Sequence, residues 1–184
     1  LRTVFPTNSL IYPSEYSLFY IARHLNSNTT YNRHILNGQT QTAYYGYTGQ
    51  RKNMFFNDGW IEITGNTPNC NWDLLSFTRS NDGMAAFFYF GSNINRGYAT
   101  SGFEGMAINT DSNISSDCEV GEMLVYDRCL GTEERNQVET YLANKYSMTS
   151  NLLQINSNVP HALLTNVISS LSTIPDMKFW YDAT

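Results

Sequence analysis

Glu119 and Glu122 are the nearest local pair of acids that could share one reaction centre. Hydrolysis of a glycosidic bond takes two carboxyl groups roughly 5–10 Å apart that face one cleft. A separation of three residues puts this pair on opposite faces of a regular strand, and no Asp lies between them. A bulge would be needed to bring them together, so no catalytic residue is assigned. Glu122 reads instead as a structural carboxylate, accepting hydrogen bonds from Arg128 or from backbone amides. His24, His34 and His161 show no metal-ligand spacing, and His24, next to Arg23, is expected at a solvent-exposed strand end. There is no Ser in a Gly-x-Ser-x-Gly context, and Gly97, Gly102 and Gly105 are too irregular for a phosphate loop.

Binding chemistry has somewhat more to work with. Tyr44, Tyr45 and Tyr47 lie together near a glycine, and sugars stack on such rings. A regular strand gives Tyr45 and Tyr47 a common face, which makes them the candidate ligand-binding pair. Core packing is the favoured account of them, since most of the 13 Tyr, 10 Phe and 3 Trp must go inside. Asn57-Asp58 and Asp111-Ser112-Asn113 could offer loop oxygens to calcium, but Asx turns explain both groups, so no metal ligand and no cofactor are assigned. Cys70, Cys118 and Cys129 are too few and too widely spaced for zinc. They allow one disulfide with a free thiol or, the favoured reading, three inert buried thiols. Asn28-Thr29-Thr30 and Asn113-Ile114-Ser115 match the glycosylation pattern, which an Asn-rich chain also produces by chance.

The elements that must position these residues are strands. The chain has 184 residues, enough for one domain and a tail without a metal or disulfide staple. Its 11 Lys and Arg against 16 Asp and Glu, a net charge of −5, argue against a nucleic-acid partner, which needs clustered cations. Charged residues are only 15%, so Asn, Ser, Thr and Gln must carry the surface, and the 21 Asn favour turns over helices. The longest strongly apolar run, Ala85 to Phe90, is far too short for a bilayer span. The sequence opens Leu1-Arg2-Thr3, with neither an initiator Met nor a signal pattern, and reads as a piece of something longer.

Short apolar runs recur every eight to twelve residues: Tyr16 to Ala22, Arg33 to Leu36, Ala43 to Tyr47, Asn53 to Phe56, Trp60 to Thr64, Trp72 to Phe77, Met84 to Phe90, Gly105 to Asn109 and Val120 to Tyr126. Asn37-Gly38, Asn57-Asp58-Gly59 and Asn81-Asp82-Gly83 are expected turns between them. This pattern predicts an all-β sandwich or barrel. One helix is expected at about 132–146: Val138, Tyr141, Leu142, Lys145 and Tyr146 share a face, Gly131 or Thr132 caps it, and Glu134 can reach back to a Gly131 cap. Beyond Ser147 the composition shifts to a linker or short helical segment over 148–176, then an apolar, strand-like end at 177–184.

The stretch Val120-Gly121-Glu122-Met123-Leu124-Val125-Tyr126-Asp127-Arg128, with Leu130, Glu133-Glu134-Arg135, Val138-Glu139, Tyr141-Leu142-Ala143 and Lys145-Tyr146, resembles the closing strand and helix of laminin-G-like, concanavalin A-like domains. Tyr16 to Phe19, Trp60, Asn71-Trp72 and Phe103-Glu104-Gly105 follow in a compatible order. The resemblance implies a two-sheet antiparallel jelly-roll sandwich over 1–147, with Glu122, Tyr126, Asp127, Arg128, Tyr141 and Leu142 as its structural motif. Hydrolases of this fold carry a Glu-x-Asp-x-(x)-Glu strand, which this chain does not reproduce. Such domains open on a Leu-Trp-Leu-Asp-Ala-like strand, and here Phe179-Trp180-Tyr181-Asp182-Ala183 stands at the far end instead. That strand could begin a following repeat, complete a neighbouring domain, or dock on the same sandwich. The expectation is a non-catalytic adhesion module of a larger extracellular or virion-surface protein, recognising glycan or protein through loops and the concave face. The Asn-rich, Lys-poor composition resembles repeat proteins of AT-rich genomes, large DNA viruses included. A structural capsid or fibre component packing on neighbouring subunits is the alternative, and a glycoside hydrolase the third reading.

Overall fold

A computed structural model describes residues 3–4, 15–25, 33–38, 43–48, 51–57, 60–61, 70–98, 106–108, 117–151 and 177–182. Its strands are β1 (Thr3–Val4), β2 (Tyr16–His24), β3 (Arg33–Gly38), β4 (Ala43–Thr48), β5 (Arg51–Asn57), β6 (Trp60–Ile61), β7 (Asp73–Arg79), β8 (Met84–Tyr89), β9 (Ser92–Tyr98), β10 (Met106–Ile108), β11 (Cys118–Tyr126) and β12 (Met177–Asp182). The helix α1 spans Thr132–Lys145, and a short 3-10 turn follows at Thr149–Asn151. Two six-stranded sheets result, ordered β1-β10-β3-β4-β5-β6 and β12-β11-β2-β7-β8-β9, and every pairing is antiparallel. This is the expected antiparallel sandwich with one short helix.

The second sheet is apolar on both faces, which its sequence explains. Along β2, Leu18, Tyr20 and Ala22 join Leu75, Phe77, Ala85, Phe87, Met123, Val125 and Ile108 of the first sheet, forming the core between the sheets. The alternate residues Phe19 and Ile21 join Leu74, Leu124 and Tyr126 on the other face, where Val138, Leu142 and Ala143 of α1 cover them. A strand buried on both sides reads as a continuous apolar run, as Tyr16 to Ala22 does.

The helix begins where its residue types dictate. Gly131 is the N-cap, and its N–H donates to Glu134 Oε2 at 3.3 Å, while Glu133 and Glu134 sit at the positive end of the helix dipole. At the other end Ser147 takes the left-handed conformation (φ 57°), and the N–H of Met148 donates to Ala143 O at 2.7 Å. This satisfies a last-turn carbonyl and tucks the buried Met148 under the helix.

Several local expectations change. Asn37-Gly38 is not a turn: both residues lie inside β3 and pair with Tyr44 and Met106. The strand β9 was not anticipated, because Ser-Asn-Ile-Asn-Arg-Gly-Tyr lacks apolar alternation, as an edge strand can. Asn81-Asp82-Gly83 does turn the chain, with Gly83 at φ 87° and Ser80 bonded to the backbone of Met84 on the other side. The terminal strand β12 pairs with β11, Trp180 opposite Leu124 and Asp182 opposite Glu122. It thus lies on this chain's own second sheet. The rest of the 148–176 segment, beyond residue 151, falls outside the described residues.

Candidate functional site

The register of β11 against β2 sets the geometry around the motif. Val120 stands opposite Ala22 and Glu122 opposite Ile21, so Gly121 is one extra residue. A bulge of this kind reverses the alternation of side chains beyond it. Cys118 and Val120 therefore pack toward the core between the sheets, as Met123 and Val125 do, and Glu119 and Glu122 share the helix-covered face. The expected opposition of the two acids is overturned by this bulge.

Sharing a face does not make them a cleft pair. Gly121 lies directly beneath the Tyr146 ring: a Cβ there would come within 2.7 Å of Tyr146 Cε1 and 3.0 Å of Ile21 Cγ2. On one side Glu119, half exposed, is held by Arg23, whose Nε and Nη2 both lie 2.6 Å from Oε2. Arg23 also stacks 4.8 Å from the centroid of Trp72. On the other side Glu122 is fully buried, accepts from the Tyr141 hydroxyl at 3.3 Å, and has Lys145 Nζ 3.1 Å from Oε2.

Arg128, expected to serve Glu122, pairs with Glu134 instead. The guanidinium makes two parallel 2.7 Å bonds to the carboxylate, which hold Glu134 below the usual carboxylate range. The arrangement is consistent with the cap: one carboxylate serves Arg128 and the Gly131 N–H together. The backbone of this corner is tied to β2, since Ser17 Oγ donates to Arg128 O at 2.9 Å and accepts from Leu130 N–H at 2.8 Å. Tyr126 is buried beside Phe19, and burial pushes its hydroxyl up to about 12. Asp127 is half-buried, and Leu142 lies wholly in the helix–sheet core.

A second buried charge pair holds the opposite flank of α1. Arg135 donates to both oxygens of Glu139 at 2.7 and 2.8 Å, and its guanidinium lies 3.8 Å from the Phe88 centroid. Ser76 Oγ donates to the same Glu139 carboxylate, whose pKa burial raises. The resemblance includes both residues but gives them no role, although Arg135 and Glu139 stand four apart on the face next to Leu142, a spacing that permits an ion pair. These contacts make the motif a clasp that fixes α1 to the sheet.

Other expected residues fall elsewhere. His24 is buried, contrary to expectation, because β2 runs on through it and pairs it with Cys118. Among the cysteines Cys70 is exposed and Cys118 and Cys129 are half-buried; all three are free thiols, so the expectation of three buried ones holds for none of them fully. Tyr45 and Tyr47 lie in β4, Tyr45 opposite Leu36 and Phe55 and Tyr47 opposite Arg33; their side chains fall outside the described residues. His161 and the Asp111–Asn113 loop also fall outside them. Among the described residues no group of three His, Cys, Asp or Glu is placed to hold a metal ion, and no helix is long and apolar enough to cross a membrane. Tyr98, at the end of β9, is the most exposed aromatic side chain described, with 70% of its surface accessible.

Two antiparallel sheets around an apolar core, with one helix clasped to the outside, define an antiparallel β-sandwich. No protein-family model and no curated protein matches the chain. Solved structures with similar folds include a Bacteroides ovatus protein proposed to bind carbohydrate (TM-score 0.57, 12% identity, 72% of this chain and 42% of that one). Domain 4 of an extracellular arabinanase from Geobacillus stearothermophilus, solved with arabinotriose, gives a TM-score of 0.50 at 15% identity over 68% of this chain and 66% of that one. A heptameric pentraxin of Limulus polyphemus gives 0.53 at 14% identity over 75% and 74%. The chain thus spans less than half of the first of these proteins. At identities this low the likeness shows the fold alone.

Proposed function

We propose that this chain is a non-catalytic binding module of the laminin-G-like type, part of a larger extracellular or virion-surface protein, that recognises glycan or protein. The observation that carries the reading is the fate of the two acids. Glu122 is sealed under α1 with Lys145 and Tyr141, while Glu119 stands half exposed and paired with Arg23, so the two acids do not face one cleft. The fold shared with a proposed carbohydrate-binding protein, with a domain solved with arabinotriose, and with the binding domain of botulinum neurotoxin serotype G supports it (TM-score 0.56 for the last). On this reading Tyr45 and Tyr47 lend rings to the ligand, and β12, paired with β11, counts with the domain.

The experiment is a printed glycan array probed with the chain, together with Tyr45→Ala and Tyr47→Ala and an assay for release of reducing sugar. Binding that weakens in both variants, with no sugar released, is the expected result. Silence across a broad array removes the glycan version, and turnover of any polysaccharide removes the whole reading.

A further inference from the structure

The corner of the second sheet where β8 begins and β9 ends carries two functional side chains on one face, with a third in the turn beside them. Along β8, Ala85 and Phe87 enter the core between the sheets, so Met84, Ala86 and Phe88 stand on the α1 side, as the Arg135 contact to Phe88 verifies. Met84 pairs with Tyr98 and Ala86 with Arg96, and directly paired residues share a face. Tyr98 and Arg96 therefore rise from the α1 side of β9, both exposed, over a low floor of half-buried Met84 and Ala86. The turn next to Met84 adds Asp82. Its Oδ1 accepts from Ser80 Oγ and from the Met84 N–H at 3.1 Å, which fixes the carboxylate and holds it below the usual range.

We propose that Tyr98, Arg96 and Asp82 form a shallow subsite for one neutral sugar residue. A pyranose or furanose has an apolar C–H face and a polar rim; the first suits the Tyr98 ring, the second a fixed acceptor and a planar donor at its edge. The fixed Asp82 carboxylate offsets the charge of Arg96, and the chain's net charge of −5 then disfavours an anionic sugar. This site rests on the binding-module reading and adds to it a second place of contact, away from Tyr45 and Tyr47.

The test uses an array of neutral and sialylated oligosaccharides with wild type, Tyr98→Ala, Tyr98→Trp, Asp82→Asn and the Tyr45→Ala/Tyr47→Ala double variant. Because Tyr98 is exposed, Tyr98→Ala should melt with wild type. The expected outcome is binding to neutral glycans, reduced about tenfold or more by Tyr98→Ala, reduced by Asp82→Asn, and kept by Tyr98→Trp. Neutral-glycan binding unchanged in both Tyr98→Ala and Asp82→Asn overturns this subsite and leaves the module reading standing. Binding confined to sialylated glycans overturns it as well. Silence of the wild type overturns the subsite and the glycan reading together.

Discussion

Lys145 Nζ lies 3.1 Å from Glu122 Oε2, joining the last turn of α1 to a carboxylate that no solvent reaches. The lysine stem reaches across the sheet while its charge neutralises the one buried acid of β11, and the Tyr141 hydroxyl takes the other oxygen. The helix is thus anchored electrostatically at this end and by the Arg135–Glu139–Ser76 cluster on its other flank.

Lys145→Met should destabilise the fold by about 3 kcal/mol, because it leaves Glu122 charged and buried without its partner. Adding Glu122→Gln should recover part of that loss, a coupling that urea titration of the four members of the cycle measures.

Gly121→Ala should cost about 1–3 kcal/mol, since the new methyl meets the Tyr146 ring and Ile21 at closer than contact distance. Tyr146→Ala should relieve most of the penalty. Additive losses in the double variant would show that the ring is not the obstacle.

Glu134 and Glu139 should contribute to acid stability with opposite signs. Glu134 is held low by Arg128, so its contribution is present above the ordinary glutamate range and is lost as pH falls through its depressed value. Glu134→Gln should therefore flatten the acid limb of a melting-temperature profile. Glu139 is raised by burial, so the folded state keeps a proton that the unfolded chain has released, and its contribution declines as pH rises above the ordinary range. Glu139→Gln should remove that decline.

A thiol reagent at pH 8 should label Cys70 first in the native protein. Burial pushes the Cys118 thiol up to about 11 and raises that of Cys129, so both hold little thiolate and stay slow. Equal rates for all three would contradict the burial described.

The sequence made the helix legible nearly to the residue, because Gly131, Glu134, Val138 and Leu142 each carry a local signal for cap or face. The two-sided burial of β2 was legible for the same reason. What sequence could not show was the phase of β11. A single Gly at 121 can be a strand residue or a bulge, and only the pairing with β2 decides which face Glu119 takes. Partner choice was equally hidden: Arg128, Arg135 and Lys145 all lie near acids in sequence, and packing alone assigned Glu134, Glu139 and Glu122 to them. The Tyr98 corner was missed because β9 has no periodicity to announce it.

The pairing of β12 with β11 also orders events in time. Residues 127–176 separate the two strands, so a growing chain exits the ribosome with β2, β7 and β11 already able to zip together while one rim of β11 waits bare. Closing that rim depends on β12, the last of the described strands in chain order, which should make it the slow and vulnerable step of biogenesis. Any foreign strand that arrives sooner competes for the same berth.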